Sequence, residues 1–261
     1  MKRLIPSLSR LAACMLAVLI LVMAAEPAEA SAAKKGSSAM EEEPPYIPPT
    51  VYTSGDYSYI INADGTITIS GYDGDEEDIV IPTEIDGYAV SAIGVQAFTY
   101  KEMKSLTIPE EVTEIRGRAF EYCTISESLE LPAYVSIGKD AFSYAALPLV
   151  VMIPEGARVS KDAFSYNETT EVLIVGAGAS LNDSSFGYSE DLKAVICAEG
   201  SILYKDAFEY SDALEYVFLC GDVAVHRDAF SYCRSAKIMQ VEQEDFSQIL
   251  AILSITASDA A

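Results

Sequence analysis

Basic side chains, histidine and long apolar runs are all scarce in this sequence. Lysine and arginine number 17 against 40 aspartates and glutamates, so the formal net charge is −23. A surface of this sign repels nucleic acid and anionic lipid, which excludes both as partners. The single histidine, His226, has no second imidazole to act with, and no nucleophile is placed beside it by the sequence. We therefore predict no catalytic residues, no cofactor, no metal and no enzyme activity.

The apolar run at residues 11–25 is too short to cross a membrane, which takes about 20 residues. Basic residues precede this run, and the small-x-small sequence Ala28-Glu29-Ala30 follows it. The pattern predicts a signal peptide over residues 1–30, and hence a secreted or cell-surface protein with no membrane contact after cleavage. A leader that is retained as an anchor is the alternative.

The dominant feature of the rest of the chain is a phenylalanine every 22 residues, with a tyrosine two residues after each. The phenylalanines are Phe98, Phe120, Phe142, Phe164, Phe186, Phe208 and Phe230. The tyrosines are Tyr100, Tyr122, Tyr144, Tyr166, Tyr188, Tyr210 and Tyr232. A fixed period of this size is typical of a solenoid, in which each repeat forms one coil of the stack.

Within each repeat, apolar residues alternate at two places before the phenylalanine. Val151 and Ile153 show the first place, and Val135 and Ile137 show the second. Alternation with period two predicts short strands with one face inward. The Lys-Asp-Ala-Phe-Ser-Tyr segments predict one helical turn per repeat, with Asp140 in the first turn, where the helix dipole favours an anion. The predicted fold class is an α/β repeat solenoid, a right-handed coil with short parallel β-ladders.

This template divides the chain into five predicted segments. After the leader, residues 31–50 form a disordered spacer rich in proline and glutamate. Residues 51–78 form a β-hairpin cap around Asp64-Gly65, a strong hairpin signal. The solenoid follows over residues 79–237, and residues 238–261 form a strand and helix that cap its far end.

The tyrosines define the candidate binding residues. On a helical turn the tyrosine lies roughly 200° around from the phenylalanine, so the seven tyrosines should face away from the core. Stacked on successive coils, they would form an exposed strip about 29 Å long, which we call the tyrosine ridge. One interpretation is a contact surface for an extracellular protein or a glycan, or for self-association. The other is that the rings pack on each other and only rigidify the array.

The string Ser105-Leu-Thr-Ile-Pro-Glu-Glu-Val-Thr-Glu-Ile-Arg-Gly-Arg-Ala-Phe120 resembles the repeat of BspA-type leucine-rich repeat proteins, as does the stretch at residues 78–98. The resemblance covers residues 57–240. It implies a curved leucine-rich-repeat solenoid in a secreted or surface protein of bacteria. It also implies adhesion or protein binding in place of catalysis, with no fixed catalytic residues. The tyrosine after each phenylalanine departs from the family pattern, which has a small or polar residue there.

Three further patterns have alternative interpretations. Four cysteines follow the leader, and an even number permits disulfides, with Cys220 and Cys233 the pair to test. Their repeat positions instead favour buried free thiols. The acidic stretch at residues 73–78 suits either calcium or a solvated turn. A basic ladder lies beside the aspartate ladder, and such columns either bind an anion or neutralise each other. The basic ladder consists of Lys139, Lys161, Lys205 and Arg227.

The predicted function is a non-catalytic binding or adhesion module. A parallel β-helix enzyme acting on polysaccharide shares the coil size, but would need acidic or basic catalytic groups clustered on the ladder face over adjacent coils. The outward strand positions carry only scattered charges, such as Glu130. A structural subunit of a surface assembly is the third possibility.

Overall fold

The computed structural model describes residues 48–246 and 248–249. The predicted leader and most of the spacer lie outside these residues, as does the end of the predicted C-terminal cap. The domain boundaries given above therefore stay predictions.

The described chain forms a solenoid with parallel β-ladders on two sides. The longer ladder begins with an antiparallel hairpin and then adds one two-residue strand per coil. Its strands in spatial order are β1 (Tyr52–Ser54), β2 (Tyr57–Ile61), β3 (Ile67–Tyr72), β6 (Tyr88–Ile93), β8 (Glu114–Ile115), β10 (Ser136–Ile137), β12 (Arg158–Val159), β14 (Ser180–Leu181), β16 (Ile202–Leu203) and β18 (Ala224–Val225), with β5 (Glu84–Ile85) beside β6. Each strand pairs 22 residues ahead from β8 onward, which is the period of the phenylalanines.

The other side carries two shorter parallel sheets. The first contains β4 (Asp78–Val80), β7 (Glu102–Thr107) and β9 (Thr124–Glu130). The second contains β11 (Val150–Ile153), β13 (Val172–Val175), β15 (Ala194–Cys197), β17 (Tyr216–Cys220) and β19 (Lys237–Val241). The second repeat has one more residue between its first strand and its phenylalanine than the later repeats have. A register shift in the pairing of β7 with β9, between Met103 and Ser105, accommodates this residue. A 3-10 helix at Gln243–Asp245 follows β19.

The core is a column of stacked rings between the ladders. The phenylalanines from Phe98 to Phe208 are at most 1% exposed, with neighbouring ring centroids 4.7–6.0 Å apart. Tyr72 from the hairpin continues the column, at 5.2 Å from Phe98. At the other end Phe230 is only half-buried. Burying each apolar side chain is worth about 1.5–3 kcal/mol, so this column is a main source of stability.

The predicted helical turn in each repeat is wrong. Around Phe142 the chain makes three overlapping β-turns, in which Ala141, Ser143 and Ala145 donate to carbonyls three residues back at 3.1–3.2 Å. The N–H groups between them point to the next coil: Phe142 donates to the carbonyl of Ala163 at 2.7 Å. In an α-helix these N–H groups would bond within their own coil, and the hydrogen bonds that they make to the next coil would be lost.

Candidate binding surface

Each tyrosine of the ridge has a left-handed backbone. Their φ angles lie between 56° and 65°, a conformation that is uncommon for residues other than glycine, asparagine and aspartate. Tyr144 illustrates the cause, because it is the third residue of the β-turn that Ala145 closes onto Phe142 at 3.2 Å. A turn with positive φ at this position normally carries glycine or asparagine. The repeat thus places a large side chain where the backbone favours a small one.

A second left-handed position lies two residues before the phenylalanine in six of the coils. Its residues are Gln96, Arg118, Asp140, Asp162, Ser184 and Asp206. The predicted role of Asp140 at the start of a helix is therefore wrong, since no helix begins there. Asp140 instead lies 3.4 Å from the ammonium of Lys139 and 3.7 Å from the guanidinium of Arg118.

The ridge tyrosines stack face to face along the whole array. Neighbouring ring centroids are 4.3–5.1 Å apart, and the ring planes differ by 4–18°. The inner rings therefore cover each other's faces and present only their edges and hydroxyl groups to solvent. Tyr100 at one end is 71% exposed and Tyr232 at the other is 56% exposed, whereas Tyr166 in the middle is 38% exposed. Only the end rings offer a ring face.

The pKa values of four ridge tyrosines, Tyr122, Tyr144, Tyr188 and Tyr210, are raised above the ordinary value. Partial desolvation raises the pKa of Tyr122, and the neighbouring Tyr144 and Glu121 add to the effect. The pKa of Tyr210 is raised chiefly by its hydrogen bond with Tyr232. The ridge at neutral pH is thus a row of phenol groups, each able to donate and to accept a hydrogen bond.

The basic ladder beside the ridge is largely paired. Lys139, Lys205 and Arg227 lie 3.0–3.4 Å from the aspartates that follow them. Exposed pairs of this kind contribute little to stability, about 0–1 kcal/mol each.

The histidine and the cysteines that the sequence analysis considered lie within the folded repeats. His226 accepts a hydrogen bond at Nδ1 from the N–H of Asp228, at 3.1 Å in the last coil. Cys123, Cys197 and Cys233 carry free, buried thiols. Burial raises the pKa of the Cys123 thiol to about 12. Within residues 48–246 and 248–249, no cluster of three histidine, cysteine or carboxylate side chains is arranged to hold a metal ion, at residues 73–78 or elsewhere.

A second surface was missed by the sequence template. The middle residues of β13 and β15, Ile174 and Ile196, point away from the phenylalanine column, yet both are fully buried. Phe246 and Ile249 pack against their cluster, so the chain folds back over the outside of this sheet. The uninterrupted apolar runs of these strands are the signal, because a strand that is buried on both faces need not alternate.

A shallow polar depression of about 390 Å³ lies between the hairpin and the first coils. Its lining residues are Asn62, Ala63, Asp64, Ser91, Ala92, Thr113, Glu114 and Arg116. The Thr66 hydroxyl forms hydrogen bonds with the side chains of Asp64 at 2.7 Å and Ser91 at 2.8 Å. The Arg116 side chain donates a hydrogen bond to Glu114 at 2.9 Å. These polar groups already use one another as partners, which gives the hairpin a fixed position on the first coil. None of the described helical residues forms a segment long and apolar enough to cross a membrane.

Comparisons with known proteins show what this chain is similar to. Residues 127–237 match the family model of the BspA type leucine rich repeat region in six copies. A leucine rich cell surface protein of Faecalibacterium prausnitzii is 19% identical with a TM-score of 0.39, over 77% of this chain and 97% of that one. A leucine rich repeat protein of T. pallidum is 18% identical with a TM-score of 0.46, over 74% and 82% of the two chains. A search of curated proteins gave no match.

Proposed function

From the premise that residues 127–237 are a BspA-type leucine-rich repeat region, we propose that this protein is a secreted or cell-surface binding module. Its contact surface is the tyrosine ridge, and its partner is an extracellular protein or glycan. The observation that carries the proposal is a row of seven stacked tyrosines in a backbone conformation that disfavours them.

Ring stacking alone does not account for tyrosine at these positions. A left-handed residue other than glycine costs about 1–2 kcal/mol. A stacked pair of aromatic rings contributes about 0.5–1.5 kcal/mol. Stacking alone therefore does not offset the backbone cost, and burial of ring area must supply the rest. An outlier conformation that recurs in every coil supports a role at the surface.

The geometry favours a protein partner over a glycan. A sugar ring packs its apolar face on the face of an aromatic ring, and in this ridge only the end rings have a free face. The inner rings offer edges and neutral hydroxyl groups along about 29 Å, at steps of 4.3–5.1 Å. Rigid tyrosines of this kind are enriched in protein interfaces, since they bury area at low cost in side-chain entropy.

The test removes the ridge without changing the backbone. Tyr144→Asn, Tyr166→Asn and Tyr188→Asn are combined, because asparagine tolerates the left-handed conformation. Tyr134→Asn is the matched control, since Tyr134 is 65% exposed and has a φ of 59° but lies outside the ridge. Binding is measured against immobilised extracellular-matrix proteins and against a panel of cell-wall and host glycans.

We expect the triple variant to lose at least tenfold in affinity for the captured partner, with an unchanged circular dichroism spectrum, and the control to bind like the wild type. Equal binding by the triple variant would overturn the assignment of the ridge. Release of reducing sugar from any glycan of the panel would instead favour the polysaccharide-degrading alternative and refute a non-catalytic role.

A further inference from the structure

The two ends of the solenoid differ sharply in charge. Residues 49–100, which contain the hairpin and the first coil, carry nine aspartates and glutamates and neither lysine nor arginine. Residues 220–241, the last coil, carry three basic side chains and two aspartates, and Glu242, Glu244 and Asp245 follow them. Arg227 and Arg234 are both exposed there, with the Arg227 side chain at 83%. The last coil is therefore close to neutral in a chain with a net charge of −23, whereas the hairpin end is strongly acidic.

The last coil also ends in an open set of backbone groups. In the preceding coil Phe208 and Tyr210 donate to the next coil at 2.9 and 3.1 Å. The corresponding N–H groups of Phe230 and Tyr232 have no acceptor among the described residues. His226 satisfies only the third such group, the N–H of Asp228.

The carbonyl side of the last coil is open as well. The carbonyls of Ser201 and Leu203 accept from the coil that follows, at 3.0 and 2.8 Å. The equivalent carbonyls of Val223 and Val225 have no donor within the part of the chain that the structure describes. Their side chains and that of Phe230 are only partly buried, so apolar surface accompanies the unpaired groups. Such an edge is a template for adding another strand.

The opposite end of the same sheet offers a matching strand. Among the described residues, β1 pairs only with β2, and it is the outermost strand of the sheet whose other edge is β18. β1 is antiparallel to β2 and β2 is antiparallel to β3, whereas β3 is parallel to the coils that follow. β1 therefore runs in the same direction as β18. A copy translated along the stack would bring its β1 parallel to β18, as a further coil would be.

We propose that the protein associates head to tail, with the acidic β1 end of one copy on the open β18 end of the next, where Arg227 and Arg234 are exposed. The contact is between two different surfaces, so it does not close on itself and extends into a chain of copies. Two short strands give a small interface, which predicts weak and reversible association. Because opposite charges meet at the contact, the association should also be sensitive to salt. The tyrosine ridges of successive copies would then continue along one side.

The experiment is sedimentation velocity of the secreted chain from about 10 to 500 µM, at low and at high salt. We expect the mean mass to rise above that of the monomer with concentration at low salt, and to fall back at high salt. Arg227→Glu with Arg234→Glu should weaken association at least tenfold, as should Asp56→Lys at the exposed turn after β1. Lys139→Glu, the same kind of charge change in the middle of the array, should leave it unchanged.

Mixing the two end variants tests the geometry. The first variant keeps a native β1 end and the second keeps a native β18 end, so their mixture should associate at concentrations at which neither variant does so alone. A monomer at all concentrations would overturn the proposal. So would association that survives both end variants but is lost when Tyr144→Asn, Tyr166→Asn and Tyr188→Asn are combined. Association that appears only after deletion of residues 250–261 would overturn it too, since the chain's own C-terminus would then occupy the last coil.

Discussion

Phe142 and Tyr144 show how two residues separate the core from the surface. Phe142 is fully buried between the rings of the coils above and below, at 4.8 Å from each. Tyr144 has equally close ring neighbours but is 45% exposed and has a φ of 56°. The same stacking therefore has different consequences, because only the phenylalanine combines ring contact with full removal from water.

We predict that Phe142→Ala destabilises the protein by about 3–5 kcal/mol, because it leaves a cavity in a continuous column. Tyr144→Asn should change the free energy of unfolding by less than about 1 kcal/mol, because relief of the backbone offsets the lost ring contacts. Urea titration followed by circular dichroism measures both. A Tyr144→Asn variant as unstable as Phe142→Ala would mean that the ridge is a structural element.

The turn that contains Gly176 and Gly178 sets how closely neighbouring coils can approach each other. A Cβ atom on Gly176 would lie 2.7 Å from the backbone nitrogen of Glu155 in the preceding coil. Gly178, two residues later, has a φ of 66° and open space around it. The two glycines of one turn therefore serve different needs, the first close approach between coils and the second a left-handed backbone.

Gly176→Ala should cost about 2–3 kcal/mol, since the rigid backbone of the neighbouring coil must move. Gly178→Asn, which keeps the left-handed conformation, should cost under about 1 kcal/mol. Thermal unfolding of the two variants beside the wild type provides the comparison. If both changes cost the same, close packing between the coils does not set their spacing.

Across the whole molecule, tyrosines and cysteines make stability sensitive to alkaline pH. Burial raises the pKa of Tyr57 to about 12 and that of the Cys233 thiol to about 11, and the pKa values of several ridge tyrosines are also raised. The unfolded chain releases these protons at lower pH than the folded chain does. The folded state therefore binds more protons in this range, and its stability falls as pH rises.

We expect full stability up to about pH 9 and a progressive fall in melting temperature from there to pH 12, as the pH passes the tyrosine and thiol pKa values of the unfolded chain. Phenolate absorbance of the folded protein should rise at higher pH than that of the urea-unfolded protein. A melting temperature that stays constant to pH 12, or coincident absorbance curves, would contradict the expected direction of the pKa shifts.

The sequence by itself determined the repeat length, the inward residues of the strands and the two aromatic columns. Val151 and Ile153 alternate into the core as their pattern predicts, because alternation is a local property of an extended chain. The turn at Phe142 was decided by tertiary structure, because its N–H groups bond to carbonyls of the next coil and not within a helix. The sequence of a single repeat cannot show which of these two sets of acceptors the N–H groups will use. The burial of Ile174 on the outer face likewise depends on Phe246, which comes from 72 residues further along the chain.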